Sequence, residues 1–143
     1  YLVLRGMRTL ALRLQHQGEA AQRLAHWLEG RSEVAHVLHP ALPSHPDHAI
    51  WARDFSGASG VFAFVLKPQP PERVAAMLES LEIFAMGFSW GGYESLIAPC
   101  DPQIVRSVIA WEAEGPLLRV SVGLENGDDL AGDLAGGFAR LRG

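Results

Sequence analysis

The run Val61-Phe62-Ala63-Phe64-Val65-Leu66 decides the fold. It contains six apolar residues, four of them β-branched or aromatic. Glycine and serine precede it in Ser56-Gly57-Ala58-Ser59-Gly60, and Pro68 follows it, so turn residues bound the run on both sides. A short apolar run with such flanks is typical of a buried strand. The sequence therefore predicts a strand over residues 61–66 at the centre of a sheet.

A long amphipathic helix is predicted before this strand. From Tyr1 to Leu28, apolar residues recur at spacings of three, four and seven, as they do on one face of a helix. Gln17 is expected on another face, and Gly30 is expected to end the helix. The apolar stripe comprises Leu10, Leu14, Ala21, Leu24, Ala25 and Leu28.

Further strands and helices follow along the chain. Strands clustered between long helices predict an α+β fold, in which helices cover a mainly antiparallel sheet. Asn126 is expected to cap the last helix. The predicted strands are Val34–Leu38, Ile83–Phe88, Ser95–Ala98 and Leu117–Val122. The predicted helices are a short one at His48–Asp54, one that begins at Pro71, and one from about Asp128 to Leu141.

Length, charge and cysteine content limit the function classes. The chain has 143 residues, of which 48% are hydrophobic, enough for the core of one domain. The net charge is −4 and the basic residues are scattered, which argues against a nucleic-acid partner. Cys100 is the single cysteine, no leader pattern precedes the first helix, and no apolar run approaches the roughly 20 residues that span a bilayer. We expect one cytoplasmic domain without a membrane-spanning segment.

Arg119 is the first candidate for a binding residue. It lies within the apolar strand Leu117–Val122, where a buried charge requires a partner. The planar guanidinium matches a carboxylate, which could belong to a ligand or to an internal salt bridge with Glu94 or Glu125. The sequence leaves both alternatives open.

The loop Gly87-Phe88-Ser89-Trp90-Gly91-Gly92-Tyr93-Glu94 is the second candidate. Its glycines allow a ligand to approach the backbone, and the side chains of Ser89 and Trp90 can donate hydrogen bonds to an anion. The alternative is a tight turn in which Trp90 fills the core.

Metal and nucleophile chemistry has weaker support. The pairs His36 and His39, and His45 and His48, have a spacing of three, but no cysteine completes a ligand set, so surface histidines and no metal site are expected. Lys67 is the single lysine, and its position between a strand and Pro68 predicts exposure rather than the buried setting of a Schiff-base lysine. Lys67 is therefore not expected to be catalytic.

Taken in order, five segments resemble the Cys/Met-metabolism, pyridoxal-phosphate-dependent transsulfuration enzymes. In that family tryptophan after the loop serine, here Trp90, resembles the bacterial cystathionine β-lyase branch, whereas γ-synthases and γ-lyases usually carry leucine. The segments are Arg5-Gly6-Met7-Arg8-Thr9-Leu10, His39-Pro40-Ala41-Leu42-Pro43, Arg53-Asp54-Phe55-Ser56-Gly57-Ala58-Ser59-Gly60, Ser89-Trp90-Gly91-Gly92-Tyr93-Glu94-Ser95-Leu96 and Leu118-Arg119-Val120-Ser121-Val122-Gly123-Leu124-Glu125.

The resemblance implies that residues 1–143 are the small C-terminal domain of a fold-type I, PLP-dependent carbon–sulfur lyase. Such an enzyme converts cystathionine to homocysteine, pyruvate and ammonia, and works as a homo-oligomer. By the same resemblance Arg119, with Ser89 and Trp90, binds the α-carboxylate of the amino-acid substrate. The Schiff-base lysine and the phosphate-binding residues are expected in a large domain that precedes Tyr1, so this chain alone is expected to be inactive and to bind no PLP.

Two other functions remain open from the sequence. One is a γ-lyase or γ-synthase of the same family. The other is a free-standing α+β module that binds a small carboxylate or mediates dimerisation. Two residues depart from the family pattern. Ser121 stands where close relatives are expected to carry His or another residue with a ring, and Asn126 stands where they are expected to carry Asp or Pro.

Overall fold

A computed structural model describes residues 1–101 and 104–142 of the chain. Strands and helices alternate in most of it, as the sequence predicts. The helices are α1 (Leu2–Met7), α2 (Leu10–Glu29), α3 (His48–Asp54), α4 (Pro71–Glu79) and α5 (Gly127–Ala139). The strands are β1 (Val34–Leu38), β2 (Val61–Leu66), β3 (Ala85–Met86), β4 (Leu96–Pro99) and β5 (Leu117–Ser121).

The strands form one sheet in the order β1-β2-β5-β4-β3. All neighbouring pairs are antiparallel except β3 and β4, which are parallel. The run Val61–Leu66 lies inside the sheet between β1 and β5, as predicted. The α+β prediction with a mainly antiparallel sheet is therefore confirmed.

One face of the sheet carries the main core. Phe64 on β2 and Leu118 on β5 are fully buried, and the ring of Phe138 on α5 meets Phe64 edge to face at 6.3 Å. Helices α2 and α5 also pack against each other. Asn126 caps α5 as predicted, because its side-chain oxygen accepts from the amide of Asp128 at 2.8 Å. None of the helices in residues 1–101 and 104–142 is both long and apolar enough to cross a bilayer.

The prediction of one unbroken helix from Tyr1 was wrong at Thr9. The carbonyl oxygen of Gly6 accepts from the amide of Thr9 at 3.3 Å and from the guanidinium of Arg13 at 2.9 Å. Thr9 adopts a non-helical backbone conformation, with φ −113° and ψ 7°. These local bonds compete with the helical pattern and separate α1 from α2.

The predicted strand Ile83–Phe88 is also shorter in the structure, where only Ala85–Met86 pair with β4. The carboxylate of Asp133 on α5 accepts from the three amides of Glu82, Ile83 and Phe84, each at 2.9 Å. Amides bonded to a carboxylate cannot donate to a neighbouring strand. The contact ties the start of β3 to α5 instead.

Hydrogen bonds join the two ends of the connection between β4 and β5. Both carboxylate oxygens of Asp101 accept from the amide of Leu117, at 3.1 and 2.9 Å, and the amide of Cys100 donates to the carbonyl of Leu117 at 2.9 Å. The start of β5 is therefore fixed beside the end of β4 irrespective of the residues that connect them.

We predict that Asp133→Ala lowers the free energy of unfolding by about 2 kcal/mol, because three amide groups lose a charged acceptor. Urea unfolding monitored by circular dichroism measures this loss. Asp129→Ala, an exposed acid of the same helix, is the control and should cost less than about 1 kcal/mol, the usual range for a charge near a helix N-terminus. Equal losses in the two variants would contradict this role of Asp133.

Candidate functional site

Arg119 lies in the middle of β5, in a row of four residues that crosses the sheet. Leu38 on β1 pairs with Ala63 on β2, Ala63 pairs with Arg119, and Arg119 pairs with Ala98 on β4. Directly paired residues of antiparallel strands point to the same face of a sheet. Leu118 and Val120, the neighbours of Arg119, belong to the core on the helix side. Arg119 therefore projects from the face opposite the helices, with an alanine on each side.

The guanidinium of Arg119 is held by backbone carbonyls. Its Nη2 donates to the carbonyl of Gly87 at 3.4 Å and to that of Ser89 at 3.2 Å, and its Cζ lies 5.8 Å from the centroid of the Phe88 ring. The Nε is buried and has no hydrogen-bond partner among the described residues. The carbonyls orient the cation, and no carboxylate among the described residues pairs with it.

The internal salt bridge that the sequence left open for Arg119 is not formed. Ion pairs within residues 1–101 and 104–142 do not involve Arg119. Glu125 uses both carboxylate oxygens on Ser95, and Glu94 is exposed. Binding of a ligand carboxylate by Arg119 stays a prediction.

The loop that carries Ser89 and Trp90 is bonded to α2, to β5 and to the segment that follows β5. The amide nitrogen of the Gln17 side chain donates to the carbonyl of Gly92 at 2.6 Å. The amide of Gly91, which has a φ of +74°, donates to the hydroxyl of Ser121 at 3.2 Å, and the amide of Leu124 donates to the carbonyl of Tyr93 at 2.8 Å. The loop is therefore ordered relative to β5 and α2.

A second set of hydrogen bonds fixes the end of this loop. The carboxylate of Glu125 accepts from the amide of Ser95 at 2.8 Å and from its hydroxyl at 2.7 Å. That hydroxyl oxygen also accepts from the amide of Gly123 at 2.8 Å. A Cβ at Gly123 would lie 2.3 Å from the carbonyl oxygen of Tyr93, so the two segments approach as closely as glycine allows. We call Ser95, Gly123 and Glu125 the loop clasp.

Sequence reasoning missed several of these supporting residues. Gln17 was expected on a face of the helix other than the apolar stripe, but it is only 4% exposed, and that expectation was wrong. Its spacing of three from Leu14 and four from Ala21 is the signal that could have placed it inward. Ser95 and Glu125 lie 30 residues apart, and Ser121 meets Gly91 across a similar separation, so no local pattern reveals these bonds.

Ser89 and Trp90 lie on the loop beside Arg119, with their side chains exposed. Ser89 contacts Arg119 through its carbonyl. The side chain of Trp90 is 68% exposed, so the alternative in which it fills the core was wrong. An exposed indole at an ordered loop is placed to meet a ligand or another protein surface. Hydrogen bonding of these two side chains to an anion stays a prediction.

Histidines and Lys67 do not add a reactive group near Arg119. His39 was expected on the surface, which was wrong: it is 2% exposed against Phe62, and burial lowers the pKa of its imidazole. Residues 1–101 and 104–142 contain no group of three side chains placed to hold a metal. Lys67 is exposed and lies four residues beyond Ala63, roughly 13 Å along the strand from the row of Arg119. That Lys67 is not the Schiff-base lysine stays a prediction.

Comparison with known proteins identifies the family. The sequence profile of the family described as Cys/Met metabolism PLP-dependent enzyme matches residues 1–139. The chain belongs to this family. A cystathionine beta-lyase from Salmonella typhimurium is 46% identical over 145 residues, which cover 99% of this chain and 37% of the relative. An L-alanine/L-glutamate racemase from Wolbachia pipientis is 42% identical over 99% of this chain and 36% of its own length.

A solved structure supports the fold. The cystathionine gamma synthase from Xanthomonas oryzae, solved in complex with aminoacrylate and cysteine, superposes with a TM-score of 0.86 and is 35% identical, covering 99% of this chain and 38% of that one. The chain thus spans less than two-fifths of the proteins that it matches. The family is PLP-dependent, and its members here are enzymes named for different reactions of amino acids.

We predict that Gly123→Ala opens the loop clasp and lowers the free energy of unfolding by about 1–3 kcal/mol, the usual cost of overpacking, because its methyl group would meet the Tyr93 carbonyl. Gly132→Ala in α5 is the control, since a methyl group there would meet no neighbouring atom within 4 Å, and it should raise stability by up to about 1 kcal/mol. Thermal unfolding compares the variants. A stability gain in both would show that the close approach at Gly123 is absent in solution.

Proposed function

We propose that residues 1–143 form the C-terminal domain of a PLP-dependent carbon–sulfur lyase of the cystathionine β-lyase type, and that Arg119 binds the α-carboxylate of the substrate. The proposed parent reaction converts cystathionine to homocysteine, pyruvate and ammonia. The observation that carries this proposal is the guanidinium of Arg119, which backbone carbonyls orient while no carboxylate of residues 1–101 or 104–142 pairs with it. Its Nε also has no hydrogen-bond partner within those residues.

The arrangement suits a carboxylate rather than a compact anion. A guanidinium presents parallel N–H groups in one plane, which match the two oxygens of a carboxylate. Ser89 and Trp90 are proposed to add hydrogen bonds beside Arg119. Fixing the carboxylate also fixes the directions of the bonds at the substrate Cα, and such orientation contributes several kcal/mol, as in well-oriented intramolecular reactions.

We further propose that the remaining chemistry lies outside this chain. The exposure of Lys67 at the end of a strand, in contrast to the buried setting of a Schiff-base lysine, supports a large domain that precedes Tyr1 and carries the lysine bound to PLP and the groups that bind its phosphate. On this proposal the chain by itself binds no PLP and is inactive, and the parent is a cytoplasmic homo-oligomer. Exposed aromatic side chains on the loop support a surface that another domain or subunit covers: Phe88 is 56%, Trp90 68% and Tyr93 73% exposed.

We predict that Arg119→Ala in the full-length enzyme lowers kcat/KM for cystathionine by a factor on the order of 100 or more, because the carboxylate loses a charged, two-point partner. Arg119→Lys should recover little of this loss, since an ammonium group cannot reproduce the planar fork. Steady-state kinetics measures both variants, and Arg140→Ala, an exposed arginine at the end of α5, is the control with unchanged kinetics. Wild-type kcat/KM in Arg119→Ala would remove Arg119 from the site.

A γ-lyase or γ-synthase is the second candidate, favoured by the fold likeness to the Xanthomonas oryzae γ-synthase. Product analysis of the full-length enzyme with cystathionine separates the two reactions. Trp90 predicts β-elimination, and hence pyruvate and homocysteine as products. Formation of 2-oxobutyrate and cysteine would assign γ-elimination instead. Neither keto acid from cystathionine, together with racemisation of L-alanine supplied as a separate substrate, would contradict both.

A further inference from the structure

The two alanines beside Arg119 have different surroundings. Ala63 and Ala98 pair with Arg119 from opposite sides, so their methyl groups project from the same face as the guanidinium. Ala98 is 1% exposed, whereas Ala63 is half-buried. Something covers Ala98 that does not cover Ala63 to the same extent.

The hydrogen bonds of Arg119 indicate what lies over Ala98. Nη2 donates to the carbonyls of Gly87 and Ser89. Gly87 follows β3, and its amide donates to the carbonyl of Ile97 at 3.2 Å, so it lies on the far side of β4 from β5. Neighbouring strands are about 4.8 Å apart, and the arginine side chain has to cross the full width of β4 to reach these carbonyls. The β4 residue directly beside Arg119 is Ala98.

We propose that Ala98 is a positioning residue for the carboxylate-binding arginine. Its small side chain leaves the path across β4 open, so that the stem of Arg119 lies over it and the guanidinium reaches the carbonyls of Gly87 and Ser89. A branched side chain at this position occupies that path and displaces the guanidinium. Ala63, on the other flank, leaves space beside the guanidinium and does not lie on its path.

Displacement of the guanidinium weakens binding at the carboxylate end of the ligand. A guanidinium that loses its two carbonyl acceptors also loses the orientation that presents its planar fork to a carboxylate. Misplacement by about 1 Å can cost on the order of a hundredfold in rate where geometry decides the reaction. This inference rests on the proposed function of Arg119, and it adds a residue that touches neither substrate nor cofactor.

The test compares Ala98→Val with the matched variant Ala63→Val in the full-length enzyme. Both introduce the same β-branched side chain next to Arg119 in an antiparallel pair. Competitive inhibition is measured with L-alanine and with ethylamine, which is the same molecule without its carboxylate. We expect Ala98→Val to weaken inhibition by L-alanine on the order of 10- to 100-fold and leave ethylamine within about twofold, since only the carboxylate depends on Arg119. Ala63→Val should leave the ratio of the two inhibition constants at the wild-type value.

Arg119→Ala separates this inference from the proposed function. If Arg119→Ala weakens L-alanine selectively and Ala98→Val does not, Ala98 has no positioning role while the carboxylate clamp stands. If Arg119→Ala leaves L-alanine unchanged, the clamp itself is wrong. Equal weakening of L-alanine and ethylamine in Ala98→Val would indicate general disruption and also overturn the inference. Should Ala98→Val fail to fold, Ala98→Cys provides the same comparison with a smaller side chain, and a wild-type ratio there would overturn it.

Discussion

The hydroxyl and amide of Ser95 are bonded to the carboxylate of Glu125, and the same hydroxyl accepts from the amide of Gly123. This clasp joins the start of β4 to the segment that follows β5, so the loop before β4 cannot move independently of the strand that carries Arg119. Ser95 is fully buried, and buried polar networks are rigid when each member has a partner. The position of the Ser89 carbonyl relative to the guanidinium depends on this constraint.

Backbone carbonyls stabilise Arg119 and leave its charge available to a ligand. A buried ion pair would neutralise the guanidinium and occupy the geometry that a ligand needs. Two carbonyl dipoles instead compensate part of the desolvation and leave the net charge in place. The nearby Glu125 is engaged by Ser95 rather than by Arg119. The carboxylate of Glu125 therefore holds the loop in place, while the guanidinium of Arg119 keeps its charge for a ligand.

The local sequence was sufficient to predict features that depend on residues close together in the chain. Val61–Leu66 was predicted as an inner strand because its apolar run and its turn flanks leave few alternatives. Arg119 was recognised because a charge in an apolar strand is unusual. The length of β3 was not predictable, since it depends on Asp133, about 50 residues away along the chain. The spacing of Gln17 from Leu14 and Ala21 could have placed it inward, but its bond to the Gly92 carbonyl joins residues 75 apart and has no local signal.

Because Asp101 is bonded to Leu117, an insertion in the connection between these residues has a different effect from an insertion within β5. Insertions or deletions in the connection between these residues alter a loop whose two ends stay fastened together, so the pairing of Arg119 with Ala98 is preserved. An insertion of one residue within β5 has a different effect, because side chains alternate between faces and Arg119 would exchange sides with a core leucine or valine. A change in the length of this connection therefore leaves the site in place, whereas a shift of register in β5 removes Arg119 from it.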